Sequence, residues 1–425
     1  MDRLQGLFGI ALILGLAVLF SNNRRRINVR LVLSGVALQV VIAMLIFHVG
    51  PVARFFQLVG RAIGKLEEFA RSGAAFVYGG IAVDRGTNNL GQMVPGNYLG
   101  GGFVFAFNVT ATIVLVCALV AVSYHFGLMQ RVVSVVAKAM NFIMRVSGAE
   151  ALSNVASALV GQVEAQVMIQ PYLNGMTKSE LLASMSGSLA CIAGGILVVY
   201  VNMGKNAGLD LAPMLITASL MAAPGALVIA KIVFPETEES QTMGEVKLEV
   251  KSSYSNVIDA ISHGASDGYK IAMNVIAMLI GFIAVISCIN WVMVFVGHWF
   301  NPNLNLTLDW IFGKAFYPIA WAMGVPSADI SNVATLLGQK LTINEFVAFK
   351  SLTDHAVPVI TDKGLLIVSI AICGFANFSS VGMQIGGIGA LAPDRRTDLA
   401  KLGLKALLCG TLASYLSATI AGIVV

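Results

Sequence analysis

Eight long apolar runs alternate with short polar ones along the chain, at residues 4–20, 31–49, 103–123, 181–203, 212–234, 271–297, 364–390 and 402–425. Each is close to the roughly 20 residues that an α-helix needs to cross a bilayer. The pattern therefore predicts an all-α membrane protein with about eight transmembrane helices. The first run is followed by Arg24, Arg25 and Arg26, where a cleaved leader would carry small residues, so it reads as a retained helix. Residues 54–71 follow another rhythm, in which apolar pairs alternate with Arg54, Arg61, Lys65, Glu67 and Glu68 at helical spacing. That is the pattern of an interfacial helix in the membrane surface, or of an amphipathic helix packed on its own protein or a neighbouring subunit. Residues 84–102, rich in Gly and Asn, read as an external loop.

Two stretches, residues 146–176 and 309–355, are apolar yet broken by polar residues. The basic residues decide how they sit. Arg24, Arg25, Arg26 and Arg30 fill the loop after the first run, while Arg395, Arg396, Lys401 and Lys405 fill or flank the loop before the last. The positive-inside rule puts both loops in the cytoplasm. Eight crossings then close with both termini outside and with Arg131, Lys138, Arg145 and Lys178 inside; an odd extra crossing would carry one arginine loop to the wrong face. Both broken stretches are expected to be re-entrant hairpins, which are tolerated at that depth only when lined by protein or a water-filled cavity. Span, hairpin, span, span then occurs twice in opposite orientation, the inverted repeat of many secondary transporters. The resulting division gives residues 1–102 to N-terminal scaffold helices, the interfacial helix and the external loop. Residues 103–235 form the first repeat with hairpin one (about 146–176), 236–270 a cytoplasmic loop and amphipathic segment, and 271–425 the second repeat with hairpin two (about 309–355).

Composition agrees with a membrane location: 57% of the 425 residues are hydrophobic and 12% charged, against about 25% charged in an ordinary soluble domain. The net charge of +5 is spread over short loops and forms no broad basic face, so no nucleic-acid partner is expected. Five cysteines without a CxxC spacing and five scattered histidines point to neither a disulfide framework nor a zinc centre.

An ionisable side chain deep in a membrane costs at least about 2.5–3.5 kcal/mol, so one that persists serves a pathway or a ligand. Two stand out: Glu164, in LVGQVEAQVMIQP (159–171), and Glu345, in GQKLTINEFVAF (338–349). With Gln162, Asn344, Asn377 and Ser380 they make a set of acceptors and amides suited to a neutral, hydroxyl-rich ligand with an amide-like edge. A buried ion pair is the alternative for either glutamate, with Lys340 at hand. Gly194 and Gly195 interrupt the fourth run, and Asn377, Ser379, Ser380 and Gly382 the seventh. Such breaks either free carbonyls for a cation or let helices pack closely. Met168, Met176, Phe346 and Phe349 read chiefly as packing.

The segments SGAEALSNVASALVGQVEAQ, MTKSELLASMSGSLACIAGG, PIAWAMGVPSADI, GQKLTINEFVAF and CGFANFSSVG follow one another over nearly the whole chain. In sequence and order they resemble the concentrative nucleoside transporters, cation-coupled symporters of nucleosides. The resemblance implies a homotrimer in which a scaffold holds a moving transport domain of hairpins and broken helices, with no cofactor beyond the coupling ion. Carried over residue by residue, it makes Gln162 and Glu164, with Val163 between them, base-binding groups, and Glu345, Asn377 and Ser380 ribose-binding groups.

Three positions depart from the family pattern. Where the family commonly has GQTEAP this chain has GQVEAQ, so Val163 lacks a hydroxyl and Gln166 stands in place of a proline. The family's sodium site uses an Asn and a Ser with backbone carbonyls; the matching positions here are Ser157 and Cys191, and a thiol is a poor ligand for a hard cation. Two couplings stay open: Na+ at Ser157 and Cys191 with carbonyls near Val160 and Ile192, or H+ taken up by Glu164 or Glu345. The resemblance also implies a bacterial inner membrane, with nucleoside substrate and lipid bilayer as the partners. Competing readings are a membrane enzyme using Glu164 and Glu345 as an acid–base pair, a symporter for another small polar solute, and a passive pore.

Overall fold

The computed structural model describes the whole chain except Met1, residues 80–104, Val160, Val163, residues 243–253, residues 301–305 and Ile360. The expected external loop, Val160 and Val163 thus lie outside the described residues. Helices and short 3-10 turns make up the regular structure among the described residues.

Among the described residues, four helical segments are by themselves long and apolar enough to cross a membrane: Val29–His48, Lys178–Asn206, Ala212–Val233 and Pro393–Val424. The shorter apolar helices Leu4–Leu19, Ile283–Trp299 and Phe378–Leu391 fall in three further expected runs. Thr110–His125 and Leu128–Met144 qualify only as a pair bent by 78°. The second member of that pair, α5 (Leu128–Met144), buries Val133, Ala137, Met140 and Met144 along one stripe. It is an amphipathic helix, in a stretch where the sequence alone only places Arg131, Lys138 and Arg145 on the inside.

The centre of the molecule is α8 (Lys178–Ala190), α10 (Ala212–Val233) and α18 (Arg396–Val424), which are nearly all buried. Against them pack α1 (Asp2–Leu19) and α2 (Val29–His48). Asn28 caps α2, its side chain accepting from Leu31 N at 3.2 Å. The buried stripe Leu31, Gly35, Gln39, Ala43 and Ile46 follows helical periodicity. Gln39 is wholly buried, and its amide nitrogen is satisfied across the interface, donating to Met221 O (2.9 Å) and Ser417 Oγ (2.8 Å). Residues 54–71, expected as an interfacial or packed amphipathic helix, fall within α3 (Gly50–Tyr78), a helix longer than that stretch at both ends.

A second packing unit pairs α4 (Phe105–His125) with α11 (Val257–Phe300). Gly264 and Gly268 allow the backbones to meet, since an added Cβ would lie 2.6 Å from Cys117 O and 2.8 Å from Val114 Cα respectively. This contact precedes the expected span 271–297, because the close approach follows the two glycines rather than the most apolar window. At about 1.5 Å per residue, the 44-residue α11 is about 66 Å long, twice a bilayer core of about 30 Å.

The two broken stretches fold as helix–turn–helix units. In the first, α6 (Gly148–Leu159) turns into α7 (Glu164–Met168) through Gly161, whose φ of 149° is open to glycine and strained for other residues. In the second, α14 (Ile330–Thr342) turns into α15 (Glu345–Thr353). Residues 309–329, expected to belong to hairpin two, form two separate short helices instead, α12 (Leu308–Ala315) and α13 (Tyr317–Ala322). Gly324, at φ 84°, and Pro326 end α13 and separate it from the unit proper.

Candidate substrate and ion site

The two interrupted spans meet at their interruptions. The helix α8 opens on a reciprocal cap, Thr177 N donating to Glu180 Oε2 (2.8 Å) and Glu180 N to Thr177 Oγ1 (3.1 Å). It ends at Cys191, whose backbone is extended, and α9 (Gly194–Asn206) starts after Ala193. Likewise α16 (Asp362–Ile372) ends at Cys373, and α17 (Phe378–Leu391) restarts on Asn377, whose Oδ1 accepts from Ser380 N at 2.9 Å. Phe375 N donates to the Cys191 carbonyl at 3.3 Å. Beside it, a Cβ on Gly374 would lie 2.6 Å from Ala190 O.

Glu345 stands next to this junction as the first residue of α15, which Asn344 caps by accepting from Val347 N at 2.9 Å. Its carboxylate is buried and doubly bonded: Tyr200 OH donates to Oε1 at 3.2 Å and Asn377 Nδ2 to Oε2 at 3.0 Å. Phe349 stacks on the Tyr200 ring at 4.3 Å, so this aromatic of the second unit is packing, as expected. Ser380 is bonded through its backbone, while its buried hydroxyl oxygen has no hydrogen-bond partner among the described residues. Lys340 Nζ is buried without one as well; it lies 5.8 Å from the Tyr415 ring centre and within electrostatic reach of Glu345. The structure thus brings together Glu345, Asn377 and Ser380, and adds Tyr200. In the sequence that tyrosine is only an aromatic at the end of an apolar run.

Gln162 Nε2 lies 3.9 Å from Met383 Sδ. Met383 is one helical turn from Ser380 on α17, so the tip of the first unit reaches the helix that carries the cluster. Glu164 opens α7, and its side chain lies outside the described parts of the structure.

Of the expected ion ligands, Ser157 Oγ donates to Ser153 O and lies against Ser188 Oγ, both at 2.8 Å. Cys191 Sγ is 3.9 Å from Asn154 O, and Ile192 is buried in the break. The side chains therefore offer one hydroxyl oxygen and one thiol. Main chain supplies more: the last carbonyls of a helix lack intrahelical partners, and the Leu159 carbonyl at the end of α6 lies 3.0 Å from a Cβ built on Gly194. Hard cations take carbonyl and hydroxyl oxygen. These residues fit a small hard cation held chiefly by backbone, with Ser157 as the side-chain oxygen.

A buried ionic cluster went unnoticed in the sequence. Lys231 Nζ bonds Glu150 Oε2 (2.8 Å), Glu236 Oε2 (3.2 Å) and Ser179 Oγ (3.0 Å), tying α6, α8, α10 and the segment after α10 together. Its signal was a Lys and a Glu inside two apolar stretches; Lys231 reads as the flank of a span unless its partner is known.

Comparison with known proteins adds the family. Residues 214–422 match the C-terminal and residues 8–81 the N-terminal description of the Na+ dependent nucleoside transporters, and residues 106–207 match a description named for nucleoside recognition. The chain is 38% identical to an uncharacterized transporter of Haemophilus influenzae, covering 100% of this chain and 98% of that one. It is 34% identical to the nucleoside permease NupC of Helicobacter pylori, over 99% and 98%. Among solved structures, CNTnw in an inward-facing substrate-bound state superposes with a TM-score of 0.89 at 38% identity, covering 100% of this chain and 99% of that one. A CNTnw variant in an outward-facing state gives 0.90 at 38% identity, covering 100% and 98%. Interrupted spans bonded at their breaks, a buried carboxylate between them and relatives matched from end to end make this a multi-pass membrane transporter rather than an enzyme, and the chain belongs to the concentrative nucleoside transporter family.

Proposed function

We propose that the chain imports nucleosides across the cell inner membrane by symport with sodium. The observation that carries this reading is the Tyr200–Glu345–Asn377 cluster, a buried carboxylate held by two donors where α15 meets both broken spans. The Glu345 carboxylate oxygens accept from neighbouring sugar hydroxyls, and the open Ser380 hydroxyl adds a donor or acceptor. Gln162 and Glu164, on the first helix–turn–helix unit, bind the polar edge of the base, with Val163 between them leaving that edge without a hydroxyl. Sodium is held by Ser157 and by carbonyls around Val160, Cys191 and Ile192.

The architecture behind this reading is eight spans, with α6–α7 and α14–α15 as re-entrant hairpins of an inverted repeat. The block of broken helices moves as an elevator past a scaffold that includes α4 and α11. In support, CNTnw has been solved in both inward-facing and outward-facing states. A homotrimer is part of the proposal: Trp291, Phe295 and Trp299 leave an apolar face of α11 exposed, as suits contact with lipid or a second copy.

The test is uptake of radiolabelled uridine and adenosine into proteoliposomes under an imposed sodium gradient and, separately, a proton gradient. Accumulation driven by sodium is the expected result. Accumulation under the proton gradient alone would overturn sodium coupling, and no accumulation under either gradient would overturn nucleoside symport.

A further inference from the structure

Behind the proposed ion site lies a closed network of neutral side chains. Gln166 is fully buried; its Nε2 donates to Ser153 Oγ (3.1 Å) and Ser188 Oγ (2.9 Å), and its Oε1 accepts from Ser184 Oγ (2.8 Å). Ser153 and Ser157 sit one turn apart on α6, and Ser184 and Ser188 one turn apart on α8. Across the interface Ser153 Oγ is 2.5 Å from Ser184 Oγ, and Ser157 Oγ is 2.8 Å from Ser188 Oγ. All four serines are buried.

A count of hydrogens fixes every direction in it. Ser157 gives its hydrogen to the Ser153 carbonyl, and Ser184 gives its own to Gln166 Oε1. Both amide hydrogens of Gln166 are taken, by Ser153 and Ser188. Ser153 then donates to Ser184, and Ser188 donates to Ser157. Each hydrogen is used once. Ser157 Oγ consequently donates to backbone and accepts from Ser188, which leaves it one lone pair and no hydrogen to present to anything else. Held from two sides, by the Ser153 carbonyl and the Ser188 hydroxyl, Ser157 Oγ keeps that lone pair in one direction and can serve a cation as a ligand; without the Ser188 bond its orientation is no longer fixed.

We infer that Gln166 is a positioning residue for the coupling ion, acting through Ser188 to hold the Ser157 hydroxyl as a lone-pair donor. The inference rests on the sodium reading above. It accounts for two departures from the family pattern together: a serine replaces the usual asparagine ligand, and a glutamine replaces a proline that could make none of these bonds.

The experiment compares the wild type with Gln166→Leu, Ser188→Ala, Ser184→Ala and Ser157→Ala. The first readout is the sodium concentration giving half-maximal thermal stabilisation of the purified protein, with choline as the control ion. The second is the sodium dependence of uridine uptake, with the uridine KM at saturating sodium. Gln166→Leu and Ser188→Ala are expected to raise the sodium requirement about tenfold in both readouts while the uridine KM moves by less than about twofold. Ser184→Ala, which leaves the Ser188 to Ser157 bond in place, shifts it less. If Gln166→Leu lowers the melting temperature in choline and loses binding outright, Ser188→Ala decides the matter. A raised requirement in Ser157→Ala with none in Ser188→Ala would overturn the inference and leave sodium coupling standing. A wild type with neither sodium-dependent stabilisation nor sodium-driven uptake would overturn both.

Discussion

Substituting Asn377→Asp inverts one hydrogen bond and keeps another, which makes it the sharpest probe of the carboxylate cluster. The aspartate oxygen can still cap α17 by accepting from Ser380 N, as Asn377 Oδ1 does at 2.9 Å. What changes is the other side: the Nδ2 that donates to Glu345 Oε2 at 3.0 Å becomes a second carboxylate oxygen. Two unit charges at 3.0 Å with an effective dielectric near 20 repel by about 5.5 kcal/mol. The cluster relieves this either by spreading apart, which dismantles the site, or by keeping one proton between the two groups, which restores an O–H donor where the amide stood. Substrate affinity in the variant should therefore be lost as pH rises and recovered as it falls. Uridine binding to the purified protein by calorimetry is the assay of choice, because a binding measurement carries no contribution from the driving gradient. The variant should bind at least about 100-fold more weakly than the wild type at about pH 8 and approach it at about pH 5. Equal affinities for variant and wild type at both values would refute the reasoning, since Asn377 would then not donate to Glu345 in the binding-competent state.

Three further outcomes are expected. Lys231→Met strands the buried Glu150 carboxylate, a loss of about 3–5 kcal/mol. At about 2.1 cal/mol/K per residue, unfolding 425 residues carries about 0.9 kcal/mol/K, so the melting temperature should fall by about 3–6 °C. The double substitution Glu150→Gln with Lys231→Met should regain most of it, and a double variant as unstable as the single would show that the pair is not the cause. Gly187→Ala would set a methyl 1.8 Å from Asn154 Oδ1, forcing Asn154 off its bonds to Glu150 O and Ala183 O; a melting curve unchanged from wild type, rather than destabilised by about 1–3 kcal/mol, would contradict that packing. Glu164→Gln should nearly abolish uptake with the fold intact by circular dichroism, and wild-type uptake would remove Glu164 from the site.

The membrane class was plain from periodicity because every run of apolar residues answers to bilayer thickness. Glu345, Asn377 and Ser380 were also readable as candidates, since polar residues in an apolar stretch are few enough to name individually. Tyr200 was not, because its ring is indistinguishable in sequence from core packing and only the fold puts its hydroxyl 3.2 Å from a carboxylate. Gln166 was noticed as a departure, but its role depends on four serines on two helices, and no local pattern announces which turn of α6 faces which turn of α8. The start of the second helix–turn–helix unit is hard to read in sequence for a similar reason: α12 and α13 are as apolar as the unit itself, and their separation rests on Gly324 and Pro326.

With Phe375 N bonded to the Cys191 carbonyl and Gly374 leaving no room for a methyl against Ala190, the two interruptions form one knot. A knot cannot open on one side and close on the other by flexing its own helices. Exposure of the site to alternate faces then requires the whole block to slide past its surroundings, lipid among them. Apolar surface matched to acyl chains at one limit of the travel is mismatched at the other, at a cost of fractions of a kcal/mol per Å. Bilayer thickness thereby becomes a control on turnover, with chain lengths that favour neither limit giving the fastest cycle.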